Sequence, residues 1–562
     1  MAESSHGGYA SDAILRRQSA REPAARTYPR ALPIVPVRAR GLTIEGADGR
    51  RYLDCLSGGG TLALGHNHPV VLEAIRKVLD SGAPLHALDL ATPVEDAFVT
   101  ELFHTLPPGL ADHARVRFCG PAGTDAVQAA CDLVRASTGS TGILAFTGAS
   151  HGMTNAALDT PGGVADVRVT RLPYPQDHRC PFGTGGAHGA ELAARWSESL
   201  LDAPRSGIPD PAGMIVEPVQ SDGGVLPAPD AWLRRMRHIT AARSIPLIAD
   251  EVETGVGRTG TFWAVQHSGI TPDVMVLSKA IGGSLPLSVL VHRDDLDAGE
   301  PGTHTDTDTF RGNQLAMAAG TATLAHVREN ALAERASLLG ARMLAQLGEL
   351  RRQFSCVGDV RGRGLMLGVE LVDALGGSRG GGGDGSGGAG VDGAWCGGVD
   401  VDGAWCGSAE GGRAWGRGVE VGRAGAGGGH RGGGVEVGRP PCRDQHVGGA
   451  RCGGAEGMAG GPLPAAPELA AAVQRECLRR GLIVELCGRH ASVVRLLPSL
   501  TITDEQVDAV LDRLFDAVEA VACGQIHRPC HADQRGHAEK RGHAEKPAHT
   551  RHRHDDHAAC AG

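Results

Sequence analysis

Short apolar segments alternate with helical segments between residues 33 and 373, and this alternation constrains the fold more than any other feature of the chain. The apolar segments are aliphatic and bounded by Gly or Pro, whereas the segments between them space their apolar residues as a helix does. Strands that alternate with helices form mostly parallel sheets covered on both faces. The sequence therefore predicts an α/β fold with a mostly parallel central sheet. The apolar segments are ARVRFC (114–119), GILAF (142–146), GMIVE (213–217), IPLIAD (245–250) and DVMVLS (273–278), and two of the helical ones are TDAVQAACDLVRAS (124–137) and DAWLRRMRHITAAR (230–243).

Three segments outside this pattern differ in composition. Residues 1–30 are polar, and we predict a flexible lead-in with one short helix. Glycine dominates residues 374–462, where the imperfect repeats DGAWCG and GVEVGR each occur twice. Such a segment cannot bury enough apolar surface to offset its ordering entropy, so we predict a disordered insertion. A binding repeat built on the recurring Trp-Cys pair is the alternative.

The C-terminal segment, residues 524–562, holds eight histidines and the repeated sequence RGHAEK. We predict a disordered, His-rich tail. A solvated tail is the simpler interpretation, and loose binding of Zn, Ni or Cu is the alternative.

Charge and hydropathy exclude some classes of protein. The net formal charge is −9, which gives the chain no overall basic character, so we expect no nucleic-acid partner, although local basic patches stay open. No apolar run approaches the roughly 18 residues of a membrane span, and the first residues lack the order of a secretory signal, so we expect no membrane partner and a cytoplasmic location. The 14 cysteines include no CxxC pair, so we expect no metal site.

Polar groups follow three of the predicted strands. Gly123 and Thr124 begin a helix after ARVRFC, where backbone N–H groups and the helix dipole favour an anion such as phosphate. Asp250 closes IPLIAD, and Lys279 follows DVMVLS. Each group taken alone has a simpler interpretation. Gly123 and Thr124 would be ordinary helix capping, Asp250 a turn acid and Lys279 a surface charge. Ligands of open α/β sheets bind beyond the carboxyl ends of the strands, so we expect these groups to face one crevice.

A phosphate turn, an acid and an amine together match the needs of pyridoxal phosphate. This cofactor takes a lysine amine for its Schiff base, a carboxylate against its pyridine nitrogen and an anion cradle for its phosphate. Lys279 suits the first role. Arginine, the usual cation of this chain, stays charged and cannot replace it.

Longer motifs identify a family. The chain resembles the class III, subgroup II aminotransferases of pyridoxal-phosphate fold type I over about 30–373 and 463–521. Within that family it resembles most the diaminobutyrate–2-oxoglutarate aminotransferases, on ARTYPRALPIVPVRARG, PLHALDLATPVEDAF and HTDTDTFRGN. The family motifs are LDCLSGGGTLALGHNHP (53–69), VEPVQSDGG (216–224), IADEVETGVGRTGTFWA, PDVMVLSKAIGG and TFRGNQLA (309–316).

The resemblance implies two domains. A large cofactor-binding domain would span 91–328. A smaller α+β domain would combine an N-terminal part, 31–90, with C-terminal parts at 329–373 and 463–523.

The resemblance also implies roles for matching residues. Lys279 would carry the Schiff base, Asp250 would pair with the pyridine nitrogen, and Val252 would pack on a face of the ring. Gly123 and Thr124 would hold the phosphate.

Three further residues have roles that the resemblance implies beyond the ring. Thr309 would reach the phosphate of the neighbouring subunit, which implies a homodimer with shared active sites. Glu217 and Arg495 would form a switchable ion pair. Arg495 would pair with Glu217 while the amino donor is bound, and would then bind the carboxylate of the 2-oxo acid acceptor.

Two positions depart from the family pattern. Ser150, beside His151, stands where the family usually has an aromatic residue stacked on the cofactor ring. Glu253 replaces the glutamine that normally contacts the phenolic oxygen of the cofactor. We expect weaker cofactor binding, and a Glu253 carboxyl that is protonated or turned away, because an ionised one would repel a phenolate.

These observations predict a pyridoxal-phosphate-dependent aminotransferase. The resemblance implies a reaction that moves the ω-amino group between L-2,4-diaminobutyrate and 2-oxoglutarate. Alternatives are an ornithine, acetylornithine or 4-aminobutyrate aminotransferase, an aminomutase or racemase, and a degenerate non-catalytic homologue.

Overall fold

The computed structural model describes residues 4–21, 32–151, 169–203, 206–297, 309–374 and 462–526. The strands are β1 (Pro36–Arg40), β2 (Thr43–Gly46), β3 (Arg51–Asp54), β4 (Ala114–Phe118), β5 (Gly142–Phe146), β6 (Val169–Leu172), β7 (Pro211–Val216), β8 (Val219–Gln220), β9 (Leu226–Pro227), β10 (Leu247–Asp250), β11 (Val274–Leu277), β12 (Val289–Arg293), β13 (Val357–Arg363), β14 (Met366–Leu371), β15 (Leu482–Ile483), β16 (Glu485–Cys487) and β17 (Val493–Leu496). The helices are α1 (Ser4–Arg21), α2 (Pro69–Ser81), α3 (Pro93–Phe103), α4 (Gly123–Thr138), α5 (Gly186–Asp202), α6 (Asp230–Ala242), α7 (Gln314–Glu329), α8 (Leu332–Gln353), α9 (Pro467–Arg479) and α10 (Asp504–Ile526).

A seven-stranded sheet of order β4-β12-β11-β10-β7-β5-β6 contains all five strands that the apolar segments predict. Adjacent strands of this sheet pair in parallel, except that β12 runs antiparallel to both β11 and β4. Every residue of β5, β10 and β11 is buried. Strands covered on both faces read as continuous apolar runs, which is why the sequence revealed them. The prediction of a mostly parallel α/β sheet is confirmed.

Helix α4 packs its alanine-rich face on this sheet. The Asp125 carboxylate accepts the Ala122 N–H at 2.9 Å and fixes the first turn, and the helix ends at Gly139 in the left-handed conformation (φ 71°). The contact with β7 is close, because a Cβ on Gly213 would lie 2.9 Å from a methyl carbon of Val134. The close packing sets the α4 N-terminus beside the carboxyl ends of the central strands.

Two smaller sheets join chain segments that are distant in sequence. The sheet β1-β2-β3-β15 brings Leu482 of β15 into parallel register with Leu53 of β3. The antiparallel sheet β13-β14-β17-β16 carries Arg495 on β17. N-terminal and C-terminal segments therefore share a sheet, as expected for a small α+β region. The predicted domain limits remain predictions.

The ends of the predicted insertion meet in space. The Asp373 N–H donates to Pro464 O at 2.9 Å, and the Ala466 N–H donates to Leu371 O at 3.0 Å. The chain thus leaves and re-enters the fold at one point, where an insertion changes little of the surrounding structure. Most of the predicted insertion (374–462) and tail (524–562) lies outside the described residues.

The predicted lead-in at 1–30 contains α1, which has 18 residues and is longer than the short helix that we expected. Within the described ranges, no helix has a stretch long and apolar enough to cross a bilayer.

Candidate active site

A cavity of about 450 Å³ opens at the carboxyl ends of β10 and β11, next to the N-terminus of α4. Its size falls within the usual range for small-molecule sites. The crevice that the sequence predicted is therefore present. The predicted residues that line it are Gly123, Thr124, Ser150, His151, Glu217, Asp250, Val252, Glu253 and Lys279.

Lys279 leaves the sheet immediately after β11. Its backbone is in the left-handed region (φ 50°), which is uncommon for a residue with a side chain and costs on the order of 1–3 kcal/mol. The Ser278 hydroxyl donates to Leu287 O at 3.0 Å and fixes the turn. The Lys279 side chain is 29% exposed and forms an ion pair with Glu253 in the cavity.

Asp250 closes β10 and is held from two directions. The Val252 N–H donates to its Oδ1 at 3.1 Å, and His151 Nδ1 lies 2.7 Å from its Oδ2. Both side chains of the Asp250–His151 pair are nearly fully buried, at 7% and 2% exposed. A buried, hydrogen-bonded carboxylate has one orientation, which suits a fixed contact with a ligand.

Gly123 leaves space where a side chain would block the cavity. A Cβ at this position would lie 3.1 Å and 3.3 Å from the two methyl carbons of Val252. The first turn of α4 begins at the same residue, so its N–H groups and the helix dipole face the cavity wall. This wall can bind an anion, and Val252 gives it an apolar neighbour.

Glu253 lies between two cations. It pairs with Lys279 and, through Oε2, with Arg495 Nη1 at 3.2 Å. Burial raises its pKa, but the charges of Lys279 and Arg495 outweigh burial and lower the pKa to about 2. Two adjacent cations thus stabilise the Glu253 carboxylate. A protonated or displaced Glu253 beside the phenolic oxygen of the cofactor remains a prediction.

Glu217 is the opposite case in the same cavity. Its carboxyl accepts the Ser150 N–H at 3.1 Å and is 7% exposed as a residue. Burial, together with the nearby charges of Asp250 and Glu253, raises its pKa well above the ordinary value. The surroundings of Glu217 therefore favour its neutral form, in contrast to those of Glu253.

The predicted ion pair between Arg495 and Glu217 is not made among the described residues. Arg495 pairs instead with Asp222 at 2.9 Å, with Glu253 at 3.2 Å and with Glu485 at 2.5 Å. These three carboxylates compensate the guanidinium, and Glu217 instead accepts the Ser150 N–H.

Sequence reasoning did not identify Asp222 or Glu485 as site residues, although both form ion pairs with Arg495. Asp222 lies inside the motif VEPVQSDGG, so the motif carried a signal that went unused. Glu485 faces Arg495 across the β16–β17 pair, a register that no local pattern reveals.

Ser150 and Thr309 have different surroundings. The Ser150 hydroxyl donates to Asp222 Oδ2 at 3.2 Å, so the side chain is tied to the rim of the cavity. Thr309 opens the short helical turn Thr309–Gly312 and does not line the cavity. Its predicted reach towards a neighbouring subunit remains a prediction.

The residues present fit pyridoxal phosphate. The cavity offers an amine at Lys279, a fixed carboxylate at Asp250, a helix N-terminus at Gly123 and an apolar wall at Val252. In addition, Nε2 of His151 is buried with no hydrogen-bond partner among the described residues. These are the groups that the cofactor requires.

Comparisons with known proteins agree with this geometry. The family model of class-III aminotransferases matches residues 24–378. A diaminobutyrate–2-oxoglutarate aminotransferase from Rhizobium meliloti is 44% identical over 515 residues, covering 90% of this chain and 92% of that protein. A second, from Haemophilus influenzae, is 45% identical over 64% of this chain and 80% of that protein.

Solved structures share the fold. An ω-transaminase from Thermomicrobium roseum matches with a TM-score of 0.67 at 22% identity, over 91% of this chain and 98% of that one. A pyridoxal-phosphate-bound amine transaminase from an uncultivated Pseudomonas species has a TM-score of 0.65 at 24% identity, over 90% and 98% of the two chains. The chain belongs to the class-III aminotransferases, a family of pyridoxal-phosphate-dependent transaminases.

Proposed function

We propose that the protein transfers the ω-amino group of L-2,4-diaminobutyrate to 2-oxoglutarate, giving L-aspartate 4-semialdehyde and L-glutamate, in a reversible reaction. The observation that carries this proposal is 44% identity to a diaminobutyrate–2-oxoglutarate aminotransferase over 92% of that protein's length. The cavity residues supply the matching chemistry.

The cofactor side of the cavity would hold pyridoxal phosphate. When bound, this group supplies a carbonyl that accepts amines and a ring that accepts the electron pair of a broken C–H bond. The first turn of α4 at Gly123 and Thr124 would bind the phosphate, and Val252 would pack on the ring. Asp250, fixed by His151 and the Val252 N–H, would favour a proton on the ring nitrogen.

Lys279 would move the proton. Its Nζ lies in the cavity at the end of a rigid strand, so the amine can take a proton from the ω-carbon of the donor and return one to the product. A positioned base of this kind contributes about 10²–10⁴-fold to a rate. The half-buried position of Lys279 keeps the amine within reach of both solvent and substrate.

Arg495 would bind a carboxylate of 2-oxoglutarate. Arg495 does not itself line the cavity, but it contacts Asp222 and Glu253, which do, and its planar guanidinium matches a carboxylate. Asp222, Glu253 and Glu485 balance its charge.

A homodimer with shared active sites also belongs to the proposal. Thr309 lies next to Phe310, which is 68% exposed, and the same turn contacts the segment that carries the exposed Leu85 and Leu90. Exposed apolar residues that lie close together suit a subunit contact. The cytoplasmic location rests on the sequence pattern alone. Light scattering tests the homodimer, and fractionation of cells tests the cytoplasmic location.

The test of the reaction is a panel of amino donors with 2-oxoglutarate. We expect glutamate formation with L-2,4-diaminobutyrate at a kcat/KM well above that with ornithine, N-acetylornithine or 4-aminobutyrate. A different preferred donor would contradict the proposed substrate. Turnover without any 2-oxo acid would indicate an aminomutase or racemase, and no visible absorption band with pyridoxal phosphate would indicate a non-catalytic homologue.

A further inference from the structure

A second cavity, of about 710 Å³, is lined by residues of α8, of β13 and of the segment that follows β6. Four arginines line it: Arg179, Arg351, Arg352 and Arg361. The site described above shares none of these residues. We propose that the second cavity binds an organic phosphate with an apolar or aromatic body, and that its occupancy weakens binding of the acceptor at the active site.

Two of the arginines have cationic groups that a ligand can use. Arg351 is 60% exposed and forms one ion pair among the described residues, with Asp359 at 3.9 Å, and no hydrogen bond. Arg352 pairs with Glu349, three residues earlier on the same helix. Exposed pairs of this kind contribute little to stability, so both guanidiniums can turn to a ligand at low cost. Their planar N–H groups match phosphate oxygens in pairs.

The carboxylates of the second cavity already have partners. Asp359 and Glu370 accept hydrogen bonds from Arg361 Nη1 at 2.9 Å and 2.7 Å. Asp177 accepts the Gly186 N–H at 2.8 Å, at the start of α5. The four arginines also outnumber these three carboxylates, and a cleft with an excess of one charge attracts ligands of the other. The lining therefore favours an anion over a cation.

Apolar side chains line the rest of the second cavity. They come from Pro175, Leu226, Pro227, Leu344 and Val360. Inorganic phosphate would use the arginines and leave this apolar surface in contact with water. The volume lies in the range of sites for small organic ligands, about 300–1,000 Å³. A phosphate ester of the size of a nucleotide satisfies both parts of the lining.

Arg361 connects the second cavity to the active site. Its side chain is 14% exposed, and its Nε donates to Gly224 O at 2.9 Å. Gly224 ends a turn that begins at Ser221, and both Ser221 and Asp222 line the active-site cavity. A phosphate in the second cavity competes with Gly224 O for the Arg361 guanidinium. Loss of that bond loosens a wall of the active site, so we expect the acceptor to bind less tightly.

The first test is calorimetric titration of the cofactor-loaded protein with ADP, with pyrophosphate and adenosine as partial probes. The bound cofactor fills the phosphate site proposed at Gly123, so ADP reports on another site. We expect ADP to bind at least about tenfold more tightly than either partial probe. Absence of ADP binding would overturn the site. Pyrophosphate binding as tight as that of ADP would overturn the organic body of the ligand.

Substitutions locate the binding. Arg351→Gln and Arg352→Gln should each raise the Kd for ADP by about tenfold, because a charge-assisted contact with phosphate is lost. Arg195→Gln is the matched control, since it removes one exposed positive charge on α5, outside the cavity. It should change the Kd by less than about twofold. Equal losses in all three variants would overturn the assignment, because they would reflect net charge alone.

The last measurement tests the connection and rests on the proposed function. The Kd for 2-oxoglutarate should rise about threefold with saturating ADP, and 2-oxoglutarate should raise the Kd for ADP by the same factor. Arg361→Lys keeps a cation but loses the fork that reaches Gly224 O, so ADP should still bind and the coupling should disappear.

An unchanged or lower Kd for 2-oxoglutarate in the natural chain would overturn the connection, and so would coupling that persists in Arg361→Lys. Failure of 2-oxoglutarate to bind with or without ADP would contradict the proposed reaction instead. The ADP titrations need no turnover and no acceptor, so they decide on the second cavity in either case.

Discussion

The two sides of the cavity are built in different ways. On the cofactor side, Asp250 and Lys279 end buried strands, and Asp250 has fixed partners in a backbone N–H and His151. On the substrate side, Arg495 shares its charge among three carboxylates from separate parts of the chain. The cofactor side, called the rigid side below, therefore has one set of fixed contacts. The substrate side, called the exchangeable side below, has several ion pairs around one guanidinium.

The difference matches two kinds of chemical demand. A group that stabilises charge at the reacting atoms works best when it is fixed before the reaction. A pocket that accepts an amine and a diacid in turn needs a charge whose partner can change. The pKa of Glu217 is raised by burial and that of Glu253 is lowered by two cations, and these opposite shifts belong to this second arrangement.

The largest expected effect is on the cofactor side. Lys279→Ala removes the amine that binds the cofactor and moves the proton, so we expect kcat to fall by at least about 10³-fold and the visible absorption band of the bound cofactor to be lost. Stopped-flow and absorption spectra measure both. Lys77→Ala is the control, because Lys77 is 75% exposed on α2 and pairs only loosely with Glu73 at 3.8 Å. Retention of the band in Lys279→Ala would assign the Schiff base to another lysine.

The rigid side also depends on a buried acid behind it. Glu251, next to Asp250, accepts the Val265 N–H at 2.9 Å and the Thr254 hydroxyl. Burial raises its pKa to about 7 from an ordinary value of 4.5. The folded protein binds the Glu251 proton more tightly than the unfolded chain does, so protonation of Glu251 adds to the free energy of unfolding. This contribution is complete below pH 4.5 and is lost as the pH rises through 7.

Glu251→Gln, which stays neutral, should therefore gain stability relative to the natural chain as the pH rises from 4.5 to above 7, by up to about 3 kcal/mol. Denaturant unfolding at several pH values measures the difference. Glu73→Gln, on a side chain that is 59% exposed, controls for the loss of one carboxylate. If the difference in free energy of unfolding between Glu251→Gln and the natural chain did not vary with pH, the raised pKa of Glu251 would be contradicted.

On the exchangeable side, Arg495→Gln should raise the KM for 2-oxoglutarate by about 100-fold, because a charge-assisted contact with its carboxylate is lost. The visible band of the cofactor should remain, since Asp250 and Lys279 are unchanged. Steady-state kinetics and spectra separate the two effects. Arg489→Gln, at the exposed turn between β16 and β17, is the matched control. An equal loss in the control would show that the hairpin, and not the guanidinium, is responsible.

The same contrast explains what the sequence could predict. Strands such as β10 and β11 are buried on both faces and therefore read as apolar runs, so the groups that end them, Asp250 and Lys279, were identifiable. The antiparallel insertion of β12 between β4 and β11 was not, because strand order depends on long-range pairing.

The partners of Arg495 depend on structure that is not local. Glu485 reaches it through the β16–β17 register, and Asp222 through a loop more than 250 residues earlier in the chain. The ionisation of Glu253 depends on two cations whose meeting no motif encodes. Family resemblance suggested Glu217 as a partner of Arg495, and a switchable pair between them remains a prediction, because the structure shows Glu217 bonded to the Ser150 N–H.

The smallest expected effect concerns Ser150, the position that links the two sides. Its N–H donates to Glu217, and its hydroxyl donates to Asp222. An aromatic side chain here would stack on the cofactor ring, as the family pattern implies. Stacking contributes about 0.5–1.5 kcal/mol beyond burial, so we expect Ser150→Phe to lower the Kd for pyridoxal phosphate by roughly threefold to tenfold.

Ser150→Ala separates the two contributions of that change, since it removes the hydroxyl bond to Asp222 without adding a ring. Fluorescence titration of cofactor-free protein with pyridoxal phosphate gives both Kd values. Equal affinities for Ser150→Phe and Ser150→Ala would mean that the side chain at 150 does not face the ring. In that case Ser150 belongs to the exchangeable side, where it would position Asp222 near Arg495, and its substitution should alter the KM for 2-oxoglutarate.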